Sequence, residues 1–193
     1  MEIQTQVGTQ LKLELLILKN NKMNSSQLSE NEYSGGFATY IREAGNVNLI
    51  EELEISLHDF IRFVQNIPMD KFDYRYAEGK WTIKDIIQHI ADCERIFAYR
   101  ALRFSRNDQT PLPSFEENDY AVNTNANGRS IQDLLTEFSA LRHSTLLFYK
   151  SLSEEQLKRM GTASNIQISV RALGFTIIGH QKHHQKVFEE RYL

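Results

Sequence analysis

The chain has 193 residues, enough for one domain with little left for a second. A hydrophobic share of 41% and a charged share of 24% suit a globular core beneath a polar surface. A net charge of -3 without a basic block gives no footing for a nucleic-acid partner, and the longest apolar run, around Leu15–Leu18, is far too short to span a bilayer.

The N-terminus, Met1 to Gln4, lacks the basic start of a secretory signal. Cys93 is the single cysteine, so no internal disulfide can form, and a reducing cytoplasm is the expected compartment. Thr9 to Leu18 has the rhythm of a short amphipathic helix. Asn20 to Gly36 is rich in Asn, Ser, Glu and Gly and reads as linker. Met23 is a plausible true start. The expected organisation is therefore an extension over residues 1–36 and one domain over 37–193.

Only three prolines occur, Pro68, Pro111 and Pro113, all outside the long periodic segments, where they act as punctuation. The first long helix is expected from Val47 to Gln65. Leu49, Leu53, Leu57, Phe60 and Val64 form its apolar stripe, and Asn48 with Glu51 forms a capping pair. His58 falls off the stripe and should face solvent. The second follows Trp81-Thr82, with Thr82 as cap and Asp85 in the first turn, and runs to about Arg106. His89 lies on the border of its stripe, in line with Cys93, Ile96 and Arg100. Residues 107–129 form a long connection with the acidic cluster Glu116, Glu117 and Asp119, a candidate cover for the mouth of the fold.

The third helix starts after Ser130 and reaches Leu152, with His143 pointing outward. A short helical turn over Ser153–Met160 and a loop through Gly161 and Asn165 lead to the fourth, capped by Ser169 and ending near Tyr192. Gly174 and Gly179 weaken this last helix unless a neighbour must approach closely there. No strand pattern competes, so the fold class is all-α, a four-helix bundle, and the long connection leaves room for a crossover.

Three of the six histidines fall in His180-Gln181-Lys182-His183-His184. His180 and His184, four apart, share the mainly apolar face of the last helix, where two imidazoles can hold one metal ion. With His89 they make a candidate set of three metal ligands with an open fourth position. The competing reading makes His180 and His184 core residues hydrogen-bonded to hydroxyls such as Thr176 or Tyr149. Gln181 occupies the place where a zincin needs Glu, and no Glu stands three residues before any of the three histidines, so zincin and di-iron sites are absent. Cys93 reads as a small buried hydrophobe. His183 suits a helix interface or dimer contact, with orientation of a metal ligand as the alternative. Arg142, Arg171, Tyr120 and Asp92 are polar candidates for a pocket rim.

The stretches Trp81-Thr82-Ile83-Lys84-Asp85-Ile86-Ile87-Gln88-His89-Ile90-Ala91-Asp92, Pro113-Ser114-Phe115-Glu116-Glu117-Asn118-Asp119-Tyr120, Ser169-Val170-Arg171-Ala172 and Gly179 to His184, with Glu190-Arg191-Tyr192, resemble the DinB/YfiT-like superfamily over roughly residues 40–193. The resemblance implies a four-helix bundle with a three-histidine divalent-metal site at His89, His180 and His184. Many members carry Glu at the place of Gln181, which is not a ligand position. It implies zinc, nickel or iron as cofactor, and a low-molecular-weight thiol as co-substrate in some members. The leading expectation is a thiol-dependent S-transferase acting on a small electrophile in stress or detoxification. The alternatives are a hydrolase using metal-activated water and a non-catalytic bundle with a structural metal. A homodimer is a further expectation from the family.

Overall fold

The computed structural model describes residues 23–193, so the expected helix at Thr9–Leu18 lies outside the described residues. In chain order the elements are α1 (Gly36–Ala44), α2 (Leu49–Gln65), α3 (Ile83–Ser105), α4 (Glu117–Asn123), α5 (Ile131–Ser151), α6 (Glu154–Lys158), β1 (Met160–Ala163), β2 (Ile166–Ser169) and α7 (Val170–Arg191). The long helices α2, α3, α5 and α7 form the expected bundle. Each starts on the cap that its sequence offers. Asn48 accepts from the amides of Ile50 and Glu51, and Ser130 and Ser169 accept from the third residue of their helices. Thr82 and Asp85 form a reciprocal capping box. Such a cap contributes about 1 kcal/mol.

The bundle core divides into two apolar clusters. One gathers Leu49 and Leu53 of α2, Phe97 and Phe104 of α3, Leu146 and Tyr149 of α5, and Leu173 and Ile177 of α7. The other gathers Phe60, Ile83, Ile87, Phe138 and Phe188 from the opposite ends of the same helices. This distribution gives the chain directions. α2 and α7 run one way, and α3 and α5 run the other way, parallel to each other. The 106–130 connection is therefore a crossover that returns along α3. Arg100 donates to the carbonyl of Pro113, and at the other end Asn127 donates to Asp85.

A polar level separates the two clusters. Glu94 of α3, Arg142 of α5, Ser56 of α2 and Gln181 of α7 meet there. Arg142 is wholly buried and holds the Glu94 carboxylate through three hydrogen bonds of 2.9 to 3.0 Å. It also donates to Ser56 Oγ at 2.9 Å, and Gln181 Nε2 donates to Ser56 O at 2.9 Å. Four helices are thus joined by one chain of partners. Arg142 is a core residue and not the rim residue it could have been.

Three features depart from the sequence reading. β1 and β2 form an antiparallel hairpin with Met160 opposite Ser169, where a loop was expected. Ser164 and Asn165 at its tip both have positive φ, the geometry that two-residue hairpins need. Leu112 of the long connection pairs with this hairpin through Thr162 and Ser164. Second, the segment after Met23 is tied down. Met23 is buried, and the Glu32 carboxylate accepts from Ser169 Oγ and from Arg171, which removes Arg171 from the rim as well. Third, α1 adds a helix that covers α7, with Phe37, Ile41 and Ala44 facing inward.

Candidate metal centre

The N-terminal half of α7 is buried on all sides, from Val170 to Gln181. That explains the near-continuous apolar run ahead of the histidines. The close approach occurs at Gly179. A methyl group there would stand 1.6 Å from the carbonyl oxygen of Tyr40, so only glycine lets α1 lie against α7 at this level. The next residue is His180.

The three histidines singled out from the sequence meet between the two apolar clusters. His180 Nε2 lies 3.0 Å from His89 Nε2 and 3.2 Å from His184 Nε2. The rings of His89 and His184 are 4.9 Å apart at their centroids. Neutral imidazoles cannot satisfy this arrangement among themselves. The shared His180 nitrogen offers either one proton or one lone pair to two neighbours. Donors about 2.0–2.1 Å from a tetrahedral zinc ion stand about 3.3 Å apart, close to these spacings. The hydroxyl alternative has no support, because Thr176 donates to Ala172 O and Tyr149 to Val170 O.

The electrostatics keep the lone pairs free. Burial pushes His89 down to about 4 from its ordinary 6.5. His180 and His184 are pushed well below 6.5 by burial first and by the neighbouring rings second. A neutral imidazole is the form that binds a metal. The same shifts set the acid behaviour of the metal-free protein. The unfolded chain takes up protons near 6.5 and the folded His89 only near 4, so the His89 contribution is whole above 6.5 and is lost as pH falls through that window, and His180 and His184 act in the same direction. Melting temperature in EDTA should therefore drop between pH 6.5 and 4. The drop should be visibly smaller in a His89→Ala/His184→Ala double variant; equal slopes would contradict the burial of these rings.

Cys93 stands one turn after His89 on the same face. Its sulfur is 3.6 Å from both ring nitrogens of His89. With His89 and His180 it forms a group whose possible ligand atoms all lie within 4.8 Å of one another, so the sulfur is within reach of the same ion. The thiol is thus a neighbour of the ring, buried and pushed upward in pKa mainly by that burial. His183 is half-buried at the α1 interface, 5.7 Å from the Tyr40 ring. His58 and His143 are exposed, as their positions off the stripes require. Asp92 accepts from Gln88 and Arg95 beside the site, and Tyr120 is exposed on α4 against Phe115.

Sequence reasoning missed an aromatic collar around the histidines. The Trp81 ring is 4.8 Å from His89, Tyr40 is 5.0 Å edge-on to His180, and Phe97 is 5.8 Å from His180. Trp81 and Phe97 are legible as apolar residues at the start and on the stripe of α3. Nothing in the local pattern connects Tyr40 with a histidine 140 positions away.

The sequence pattern of the DinB superfamily matches residues 52–188. The chain belongs to this superfamily. A protein of Oceanobacillus iheyensis whose name proposes a metal-dependent hydrolase is 23% identical over 137 residues, 70% of this chain and 78% of that protein. The solved structure of YfiT from Bacillus subtilis, described as a probable metal-dependent hydrolase with an unusual four-helix bundle topology, superposes with a TM-score of 0.67 at 17% identity, covering 88% of this chain and 95% of YfiT. The likeness places the fold in the YfiT type. Among the described residues, no helix is long and apolar enough to cross a membrane.

Proposed function

We propose that the chain is a divalent-metal-dependent hydrolase of small molecules, with the metal held by the Nε2 atoms of His89, His180 and His184. The convergence of these three nitrogens carries the reading. The names given to the Oceanobacillus protein and to YfiT support the hydrolytic class. A divalent ion such as zinc, nickel or iron, when bound, supplies Lewis acidity and lowers the pKa of water or of a thiol. The chain's own contribution is position and dryness. α3 presents His89 and α7 presents His180 and His184, while Trp81, Phe97 and Tyr40 limit water around them. Thiol S-transfer to an electrophile, the leading expectation from the sequence, draws on the same donors and becomes the second reading, since relatives of that activity share the three-histidine pattern by resemblance.

Metal content decides the first step. Untagged protein should carry, or take up, about one divalent ion per chain. Each of His89→Ala, His180→Ala and His184→Ala should weaken binding by more than about a hundredfold, beyond the loss expected for a supporting residue. Absence of metal after reconstitution with zinc, nickel and iron would overturn both enzymatic readings. With metal bound, hydrolysis of ester and amide panels without added thiol favours the hydrolase. Turnover of electrophiles only when a low-molecular-weight thiol is added favours the transferase.

A further inference from the structure

Tyr40 lies on α1, upstream of the stretch that matches the DinB superfamily. Its own carbonyl oxygen occupies the place where a side chain of Gly179 would be, so its backbone is docked one residue from His180. Its ring stands edge-on to His180 at 5.0 Å and to His183 at 5.7 Å. The side chain is half-buried, and among the described residues its hydroxyl makes no hydrogen bond. The groups whose charges act on this hydroxyl are Glu117 of the long connection and Cys93, which itself lies against His89. The geometry that places the group is that of the ring, which stands beside two of the clustered histidines. A phenol is protonated at neutral pH, so what it offers there is a donor.

We propose that the Tyr40 hydroxyl is a hydrogen-bond donor to the anionic oxygen of a ligand bound at the three histidines, a substrate-touching residue supplied by α1. This rests on the metal-site reading given above. Its ring packs on His180 whether or not the hydroxyl has work, so the test must remove the hydroxyl alone. Tyr40→Phe keeps the ring and the contact with His180.

The experiment titrates cobalt-loaded protein with acetohydroxamate, an oxyanion-bearing probe, and follows the visible cobalt absorption. Wild type and Tyr40→Phe should bind cobalt with the same affinity and show the same spectrum before the probe is added. The variant should then bind acetohydroxamate roughly tenfold more weakly, the effect of one hydrogen bond to a charged acceptor. An unchanged probe affinity would overturn the assignment while leaving the metal site standing. A loss of cobalt affinity in the variant would make Tyr40 a support for His180 and overturn it equally. Failure of the wild type to bind cobalt would remove the metal reading and this assignment with it.

Discussion

Glu94→Ala should destabilise the protein by about 3–5 kcal/mol, the cost of leaving a buried charge without its partner. The Arg142 guanidinium is fully buried, and Glu94 supplies the carboxylate that it holds. Without Glu94, Arg142 keeps the hydroxyl of Ser56 at 2.9 Å, a long contact of 3.4 Å to Leu53 O and the face of the Phe138 ring at 5.1 Å, and no described carboxylate. For a domain of this size the melting temperature should fall by about 10 °C. Thermal unfolding by circular dichroism, at one pH and with metal removed, measures it. The double variant Glu94→Leu/Arg142→Met should recover most of the loss, because apolar residues of similar volume avoid the desolvation penalty altogether. A fall of less than about 1 kcal/mol in the single variant would mean that the pair is not sealed from water. Because Ser56 links Arg142 to Gln181, the single variant should also weaken metal binding through the residue beside His180.

Gly179→Ala should also destabilise, against the direction of helix propensity. Alanine is better than glycine inside a helix by about 1 kcal/mol. Here the added methyl would sit 1.6 Å from Tyr40 O, 2.5 Å from the Tyr40 carbonyl carbon and 3.0 Å from the Ala44 amide. These are backbone atoms and cannot turn aside as a side chain can. α1 must lift from α7, with a net loss of about 2 kcal/mol or more. Gly36→Ala in α1 is the control, since nothing lies within 4 Å of its added methyl. Lifting α1 also carries the Tyr40 ring away from His180, so the Gly179 variant should lose acetohydroxamate affinity together with stability. A melting temperature equal to or above that of the wild type would show that α1 is not docked at this level.

The bundle itself was legible because its information is local. Apolar stripes at helical spacing, four side-chain caps and three prolines outside the periodic runs define α2, α3, α5 and α7 without reference to any partner. The spacing of His180 and His184 on one helix face is local in the same sense. Their meeting with His89 is not local; the border position of His89 on its stripe suggested it and the family resemblance strengthened it, but only the packing of α3 on α7 brings the rings together. The hairpin escaped because its strands are four residues long and its decisive signal is the left-handed backbone of Ser164 and Asn165, which sequence expresses weakly.

Sequence alone determined the four long helices, their starts, the class of fold and the residue types able to hold a divalent metal, because propensity, capping and periodicity act within a few residues. Tertiary structure alone decided that α3 and α5 run parallel, that Arg142 is sealed against Glu94, that Arg171 anchors the N-terminal segment through Glu32, and that Tyr40 stands beside His180. Those facts depend on which distant surfaces exclude water together. Their physical cause is burial, which raises the cost of an unpartnered charge and makes a missing side chain at Gly179 as consequential as any side chain present.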